Sequence, residues 1–369
     1  MKQTLPVFVI FSLLIICVTL SAGCGWTEDV GYHRTHTLVL SKFLPDGSMD
    51  WSKTYDTLGD VNGYHIIQMP RGEYLISASV PNPEHFCVYQ GSLIRISDGG
   101  DVVSTNISTH QQCTNFPFIT AGGDILSIGG SEVCRISPDG LVISNFSVAV
   151  SGNSMIQTRD GGYLIAGFST DLPTTTTYQE IVVEKRDPNG TEMWQFPYKS
   201  GEFDLPGPVY ESADGTGYSV YAGTSGNYDK TTSQQVFIQL TNDGKLKKIV
   251  DLAGVPERKF VLHNQSSGQR NTPVVVKKPP TLVFFDPNGN IVEKQFLNPG
   301  YTGVTKISDN EFIAMHGRNP VKFDATGKIE WEALVPDSAI TGEVSQAIPT
   351  IDGGVMVISN TRKSSTTWP

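Results

Sequence analysis

Thr350–Ser359 reads TIDGGVMVIS, and Thr158–Ser169, far earlier in the chain, reads TRDGGYLIAGFS. In both, a polar turn carrying two glycines opens onto apolar residues that alternate with period two, the pattern of a strand and not of a helix. The phrase has relatives. Met155–Gly167 is MIQTRDGGYLIAG, Ile66–Ala78 is IIQMPRGEYLISA and Phe118–Gly130 is FITAGGDILSIGG. Tyr210–Gly223 (YESADGTGYSVYAG), Val304–Gly317 (VTKISDNEFIAMHG) and Ala347–Asn360 (AIPTIDGGVMVISN) complete the set.

A second hairpin follows most of these. Lys42–Trp51 (KFLPDGSMDW), Lys185–Trp194 (KRDPNGTEMW) and Lys322–Trp331 (KFDATGKIEW) each carry Lys five places before a glycine and Trp four places after it. Shorter likenesses centre on Gly100, Gly140, Gly244 and Gly289, so seven copies are centred on Gly47, Gly100, Gly140, Gly190, Gly244, Gly289 and Gly327. A Pro-Asp-Gly or Pro-Asn-Gly core suits a type I turn closed by a left-handed residue, which glycine adopts without a Cβ clash. Trp51, Trp194 and Trp331, at one repeat position, are expected to pack between sheets.

Two hairpins make four antiparallel strands, and the turn glycines recur every 38 to 54 residues. Four-stranded units at that period are β-propeller blades. The hairpin Thr37–Tyr55 has no partner before it, and Val344–Asn360 has none after it, so the two ends of the chain are expected to build one blade together. The expected fold is all-β, a seven-bladed propeller over residues 37–363 whose N- and C-terminal strands share a blade, followed by a tail at 364–369.

The 37 glycines and 22 prolines fit a turn-rich fold, and the net charge of −10 argues against a nucleic-acid partner. At the start, Lys2 precedes the apolar run Leu5–Leu20, and SAGC ends at Cys24. This resembles the signal peptide and lipobox of prokaryotic lipoproteins, with Ser21 where Leu is usual. The resemblance implies cleavage after residue 23, a lipid on Cys24, a linker over 24–36 and an extracytoplasmic, membrane-tethered, cell-surface address. An uncleaved transmembrane anchor is the competing reading, since the run is slightly short of a bilayer span.

Over Thr37–Lys363 the repeats resemble the quinoprotein-like β-propeller superfamily. Asp324, Thr326, Gly327 and Trp331 match its tryptophan-docking pattern, with Lys322 in place of the leading alanine. The resemblance implies the fold, and in the quinoprotein enzymes a quinone and a calcium ion; a lipid-anchored assembly factor of the bacterial outer membrane shares the fold family without catalysis. No eighth blade and no carboxylate-amide set for that metal stand in the sequence, so no cofactor is expected.

Other candidate residues are few. With Cys24 lipidated, a Cys87–Cys113 disulfide is expected between loops on one face, and Cys134, aligned inside a strand, is expected to be a buried free thiol. The competing arrangement is a zinc site of His85, Cys87, His110 and Cys113. His33 and His36 are expected to be solvated in the linker. No G-x-S-x-G, H-E-x-x-H or phosphate-binding glycine loop occurs. Asp46, Asp139, Asp187, Asp243, Asp286 and Asp324 recur at turns and read as turn formers. Asn106, Asn145, Asn189 and Asn264 are N-glycosylation triplets if the host glycosylates. The ligand face is expected on the longest loops, with Tyr178, Tyr228 and Asp229. The reading is a membrane-tethered binding or scaffold module for a protein or glycan partner, with a quinoprotein-like oxidoreductase as the alternative. If the chain ends share a blade, deleting Thr37–Tyr55 should lower the melting temperature of the whole domain; a deletion that melts as cooperatively and as high as the parent contradicts shared closure.

Overall fold

The computed structural model describes residues 33–82, 85–107, 116–169, 180–199, 203–212, 214–225, 233–251, 274–276, 281–285, 291–296, 301–308, 311–324, 328–335 and 344–365. Apart from one 3-10 turn at Asp56–Leu58, the regular structure among them is antiparallel strand. The closing sheet runs in the order Met49–Thr54, His33–Phe43, Val355–Ser365, Val344–Pro349. The two ends of the chain therefore do form one sheet, with His33 opposite Ser365 and Phe43 opposite Val355.

Strand His33–Phe43 starts earlier than the sequence suggested. Residues 33–36 are strand and not linker: Val61 N–H donates to the His36 carbonyl, and the part-buried His36 has its Nδ1 3.4 Å from Asp60 Oδ1. The long C-terminal strand explains this, since it offers His33–His36 partners at Arg362–Ser365.

The second sheet is Asn62–Gln68, Tyr74–Asn82, His85–Ile96 and Val102–Ile107. The next is six-stranded, from Phe116–Ile119 through Ile125–Ile136, Val142–Gln157, Tyr163–Ser169 and Ile181–Arg186 to Glu192–Tyr198. It contains both the Gly140 and the Gly190 copies of the repeat. Strand Val142–Gln157 pairs with Ile125–Ile136 through its first half and with Tyr163–Ser169 through its second. Gly152 permits that crossing, because a Cβ there would lie 2.1 Å from Ile128 Cδ1. Four strands from Phe203 to Asp251 form another sheet, as do four from Tyr301 to Glu332; between them lie Val274–Val276, Thr281–Phe285 and Ile291–Phe296.

All seven outer hairpins are present, and all share one irregularity. The register slips at Lys42/Phe43, Arg95/Ile96, Arg135/Ile136, Lys185/Arg186, Gln239/Leu240, Phe284/Phe285 and Lys322/Phe323. That bulge is what a type I turn followed by a left-handed glycine produces. At Gly47 the turn glycine has φ of 84°, and its N–H donates to the Leu44 carbonyl.

The apolar core lies between sheets. Leu38, Leu40 and Ile358 of the closing sheet pack on Ile66, Tyr74 and Ile76 of the second. Leu75 and Leu93 of the second pack on Ile125 and Ile136. Tryptophans bolt three of these seams, as expected. Trp51 Nε1 donates to Asp98 O at 3.1 Å, Trp194 Nε1 to Asn242 O at 3.0 Å and Trp331 Nε1 to Pro45 O at 2.9 Å, each reaching the turn of the next sheet. Where the second sheet has no Trp, Asn106 Nδ2 makes the same bond to Asp139 O at 2.8 Å.

The indole also explains why its target turn needs glycine. A Cβ on Gly47 would stand 2.7 Å from Trp331 Cδ2, whereas a Cβ on Gly123 (φ of 85°) would meet nothing within 4 Å. Gly47→Ala should therefore cost at least about 1 kcal/mol more than Gly123→Ala, since both carry the left-handed penalty and only the first displaces a docked tryptophan. Equal losses in chemical denaturation would remove the tryptophan from the argument.

Candidate functional site

The T-x-D-G-G phrase is a hydrogen-bonded device that organises one end of the molecule. Thr158 Oγ1 donates to Asp160 Oδ1, Gly162 N–H donates to the same oxygen at 2.9 Å, and Lys185 Nζ lies 2.9 Å from Asp160 Oδ2. The sister phrase repeats this with Thr350, Asp352 and Gly354, and its lysine comes from the other end of the chain: Lys42 Nζ is 3.0 Å from Asp352 Oδ2. Lys42 also reaches Asp98 at 2.8 Å and Asp50 at 3.7 Å, with only 4% of its side chain exposed. Lys322 sits likewise between Glu311 and Glu330. Each of these lysines faces the repeat tryptophan directly across the strand pair, Lys42 with Trp51, Lys185 with Trp194 and Lys322 with Trp331.

Burial opposes charge on Lys42, but its hydrogen bonds to Asp98 and Asp352 outweigh that, so its pKa stands above the usual lysine value. Burial likewise pushes the Asp160 carboxyl up, and Thr158, Lys185 and the Gly162 amide pull it further down, leaving it below the usual range; Asp352 behaves in the same way.

A second set of bonds clasps one inner strand to the next. Ile351 N–H donates to Gln68 Oε1 at 2.6 Å, Ala121 N–H to Gln157 Oε1 at 2.7 Å and Arg159 N–H to Glu211 Oε2 at 2.9 Å. In each case the turn of one inner hairpin is held by the last residue or two of the neighbouring inner strand. On the closing seam, Ile66 N–H donates to Gln346 Oε1 at 2.9 Å, and Thr305 Oγ1 donates to Ala347 O at 3.1 Å.

Inside this clasp, four inner strands leave a cavity of about 330 Å³. It is lined by Ile66–Gln68, Phe118 and Ile119, Ile307, and Ile348–Ile351. The wall is largely apolar, with Phe118 as its aromatic ring and Gln68 and Thr350 as its polar side chains. Gln68 is fully engaged, its Nε2 donating to Gly72 O and to the Tyr74 hydroxyl. Ile351 stands at the rim with 66% of its surface exposed.

The residues singled out in the sequence are dispersed. Asp46, Asp187 and Asp324 are turn formers, accepting from the Ser48, Thr191 and Lys328 amides. Asp139 instead accepts from Arg95. Asn145 and Asn189 are exposed, while Asn106 is engaged in the inter-sheet bond described above. Cys134 is buried and disulfide-bonded, not the free thiol its strand position suggested. His85 and Cys87 open strand His85–Ile96, and their side chains fall outside the described residues, as do Cys24, His110, Cys113, Tyr178, Tyr228, Asp229, Asn264 and Asp286. Among the described residues no group of three or more metal-ligating side chains occurs, and no helix is long and apolar enough to cross a membrane.

The clasp and the cavity escaped sequence reading. Their one signal was the place just before each inner turn, which holds Gln68, Gln157 and Glu211 in some copies and Ile119, Ile307 and Pro349 in others.

His65, in the inner strand beside the closing sheet, is pushed down to about 4 by burial, against a hydrogen bond with Gln346 that raises it. Between an unfolded histidine value of about 6.5 and that value, the unfolded chain binds a proton the folded one refuses, so falling pH removes stability over this window. The lowered Asp160 and Asp352 carboxyls keep their contribution until pH falls below about 4. His65→Asn should flatten the melting-temperature profile between about pH 6.5 and about 4, leaving the loss below it in place. Parallel profiles for parent and variant would contradict this.

No protein-family model matches the chain, and no curated protein matches it. Solved structures do. The WD40 domain of Neurospora crassa Pan2 is similar at 12% identity and a TM-score of 0.52, over 83% of this chain and 91% of that one. Virginiamycin B lyase from Staphylococcus aureus is similar at 9% identity and a TM-score of 0.51, over 89% and 99%. Puromycin hydrolase is similar at 13% identity and a TM-score of 0.50, over 78% of this chain and 48% of that one. At such identities the likeness is one of fold, and WD40 domains are β-propellers built of four-stranded blades. The fold of this chain is of the β-propeller kind.

Proposed function

We propose that the chain is a seven-bladed β-propeller, tethered to a membrane on its extracytoplasmic side by a lipid on Cys24, and that it serves as a binding or scaffold module for a protein partner. The observation that carries the binding role is the largely apolar cavity between the inner strands, open beside the exposed Ile351 and framed by side chains already committed to hydrogen bonds. Such a site offers shape and apolar surface, and its polar groups serve the frame.

Seven hairpins with one shared bulge, and a sheet built from both chain ends, support the blade count. The apolar run Leu5–Leu20 followed by Ser21–Cys24 supports the tether. A largely apolar wall whose aromatic ring, Phe118, is buried favours a protein side chain over a glycan, which stacks on exposed aromatic rings. The docking of Trp331 on the Pro45 carbonyl gives the quinoprotein-like run a packing role.

Labelling cells with radioactive palmitate, followed by fractionation, tests the tether. The parent should carry label and sediment with membranes, and Cys24→Ala should lose the label. Label retained by Cys24→Ala, or a parent found unlabelled in the soluble fraction, would overturn it.

A further inference from the structure

We propose that Asn145 and Asn189 carry N-linked oligosaccharides in the native protein, that Asn106 does not, and that the two glycans cover an uncharged outer strand edge. This rests on the extracytoplasmic address proposed above and adds a covalent modification to it.

Both acceptors are complete triplets without proline, Asn145-Phe146-Ser147 and Asn189-Gly190-Thr191. Each asparagine and its hydroxyl residue two places on are exposed. In a strand such residues face one side, so Ser147 stands beside Asn145. Among the described residues neither side-chain amide has a hydrogen-bond partner; the one bond of Asn189 is from its backbone N–H to Asp187 Oδ1. Asn106, in Asn106-Ile107-Ser108, differs. Its Nδ2 donates to Asp139 O at 2.8 Å and lies 3.1 Å from where a Cβ of Gly140 would stand. The nitrogen that would bear a sugar there is inside a seam between sheets. The two free acceptors are neighbours: Phe146, next to Asn145, has Cδ1 3.1 Å from where a Cβ of Gly190, next to Asn189, would stand.

The strand that bears Asn145 has an edge to cover. An outer strand presents unpaired backbone groups, and charge on it ordinarily discourages pairing with another chain. Lys53, Glu192, Lys248, Lys294 and Glu330 supply charge in five of the seven outer strands. Val102–Ile107 and residues 142–148 have none. In the first, the acceptor amide is the one spent on Asp139. In the second, residues 142–147 pair with Ile125–Ile136 on one side, and Tyr163–Ser169 meets the same strand only from Val150 on. Leu141, Ile143 and Met193, each within four residues of an acceptor, expose 55%, 61% and 57% of their surface. An apolar edge without charge invites a second strand, and a hydrated oligosaccharide at its middle excludes one sterically.

The modification is a group transfer from a lipid-linked sugar phosphate or pyrophosphate on the extracytoplasmic side. The bond between the anomeric carbon and the phosphate oxygen breaks, a bond from that carbon to asparagine Nδ2 forms, and Nδ2 gives up one proton. The lipid phosphate leaves with the electron pair of the broken bond. No oxidant or reductant is required.

Peptide mapping by mass spectrometry, with a fragmentation that keeps the sugar on its asparagine, tests this on full-length protein purified from the membranes of the organism that makes it. Glycopeptides should cover Asn145 and Asn189, and the Asn106 peptide should be bare. Protease added to spheroplasts reads the address separately, and should degrade the protein. A degraded chain with Asn145 or Asn189 bare would overturn the modification and leave the address standing. A protected chain with both bare would overturn both readings, and a sugar on Asn106 would overturn the selection by geometry. The covering role has its own readout in sedimentation velocity. Asn145→Gln with Asn189→Gln should self-associate at a concentration about tenfold lower than the parent, with unchanged circular dichroism, and adding Ile143→Lys should restore the parent's behaviour. A double variant that stays as monomeric as the parent, or one that the lysine does not rescue, would overturn that role.

Discussion

The pairing of His33–Phe43 with Val355–Ser365 is the contact on which the other seams depend, because it joins residues from opposite ends of the chain. An open array of sheets would leave one inner face and a row of unpaired strand groups exposed at each end. The sheet built from both chain ends pairs the backbone groups of His33–Phe43 with those of Val355–Ser365. It is reinforced where it meets its neighbour: Asn360, 297 residues from Gly63, donates through Nδ2 to the Gly63 carbonyl and accepts the Gly63 amide on Oδ1. On its other side Trp331 docks on Pro45. Contacts so distant in sequence form only after a large loss of chain entropy, so the closing seam belongs to the slow, non-local part of folding.

Around that closure the same small set of physical devices is used repeatedly. A buried lysine is unfavourable by itself, and three copies tolerate one because carboxylates lie within ion-pairing distance, in turns for Lys42 and Lys185 and on strands for Lys322. The Asp of T-x-D-G-G is in turn held by a threonine hydroxyl and a glycine amide, so the partner of the lysine is fixed before the sheets meet. The tryptophan opposite each lysine then reaches the next turn, which must carry glycine to let the ring approach. Lysine, aspartate, glycine and tryptophan are therefore one mechanical unit spread over two sheets. Where Trp is missing, the same task falls to a smaller amide, Asn106, or to an apolar ring: Phe146 lies 3.1 Å from where a Cβ of Gly190 would stand.

The cavity between the inner strands is a by-product of this frame. The turn position that is arginine in one inner hairpin is isoleucine in the closing one, and the residue before the turn alternates between a clasping Gln or Glu and an aliphatic side chain. Where that place is aliphatic, at Ile119, Ile307 and Pro349, the described inner strands leave a cavity that Gln68 and Thr350 also line.

Much of the architecture was legible in the sequence, since turn chemistry and period-two patterning are local properties. A left-handed turn residue demands glycine wherever the turn lies, so the seven copies and the sheet shared by both chain ends could be read directly. The inter-sheet role of the tryptophans could be read as well, from their fixed distance to the glycine. What the sequence misjudged were residues whose state depends on a distant neighbour. His33 and His36 became strand because the C-terminal strand is long enough to pair with them, and Cys134 is bridged because another cysteine comes within reach. The Gln68 and Glu211 clasps, the destinations of Lys42 and the cavity beside Ile351 belong to the same class. Local patterning sets which segments are strands and turns, because it acts through each residue's own backbone. Which side chains meet across the sheets was decided only by tertiary structure, because those distances exist only once the two ends of the chain have paired.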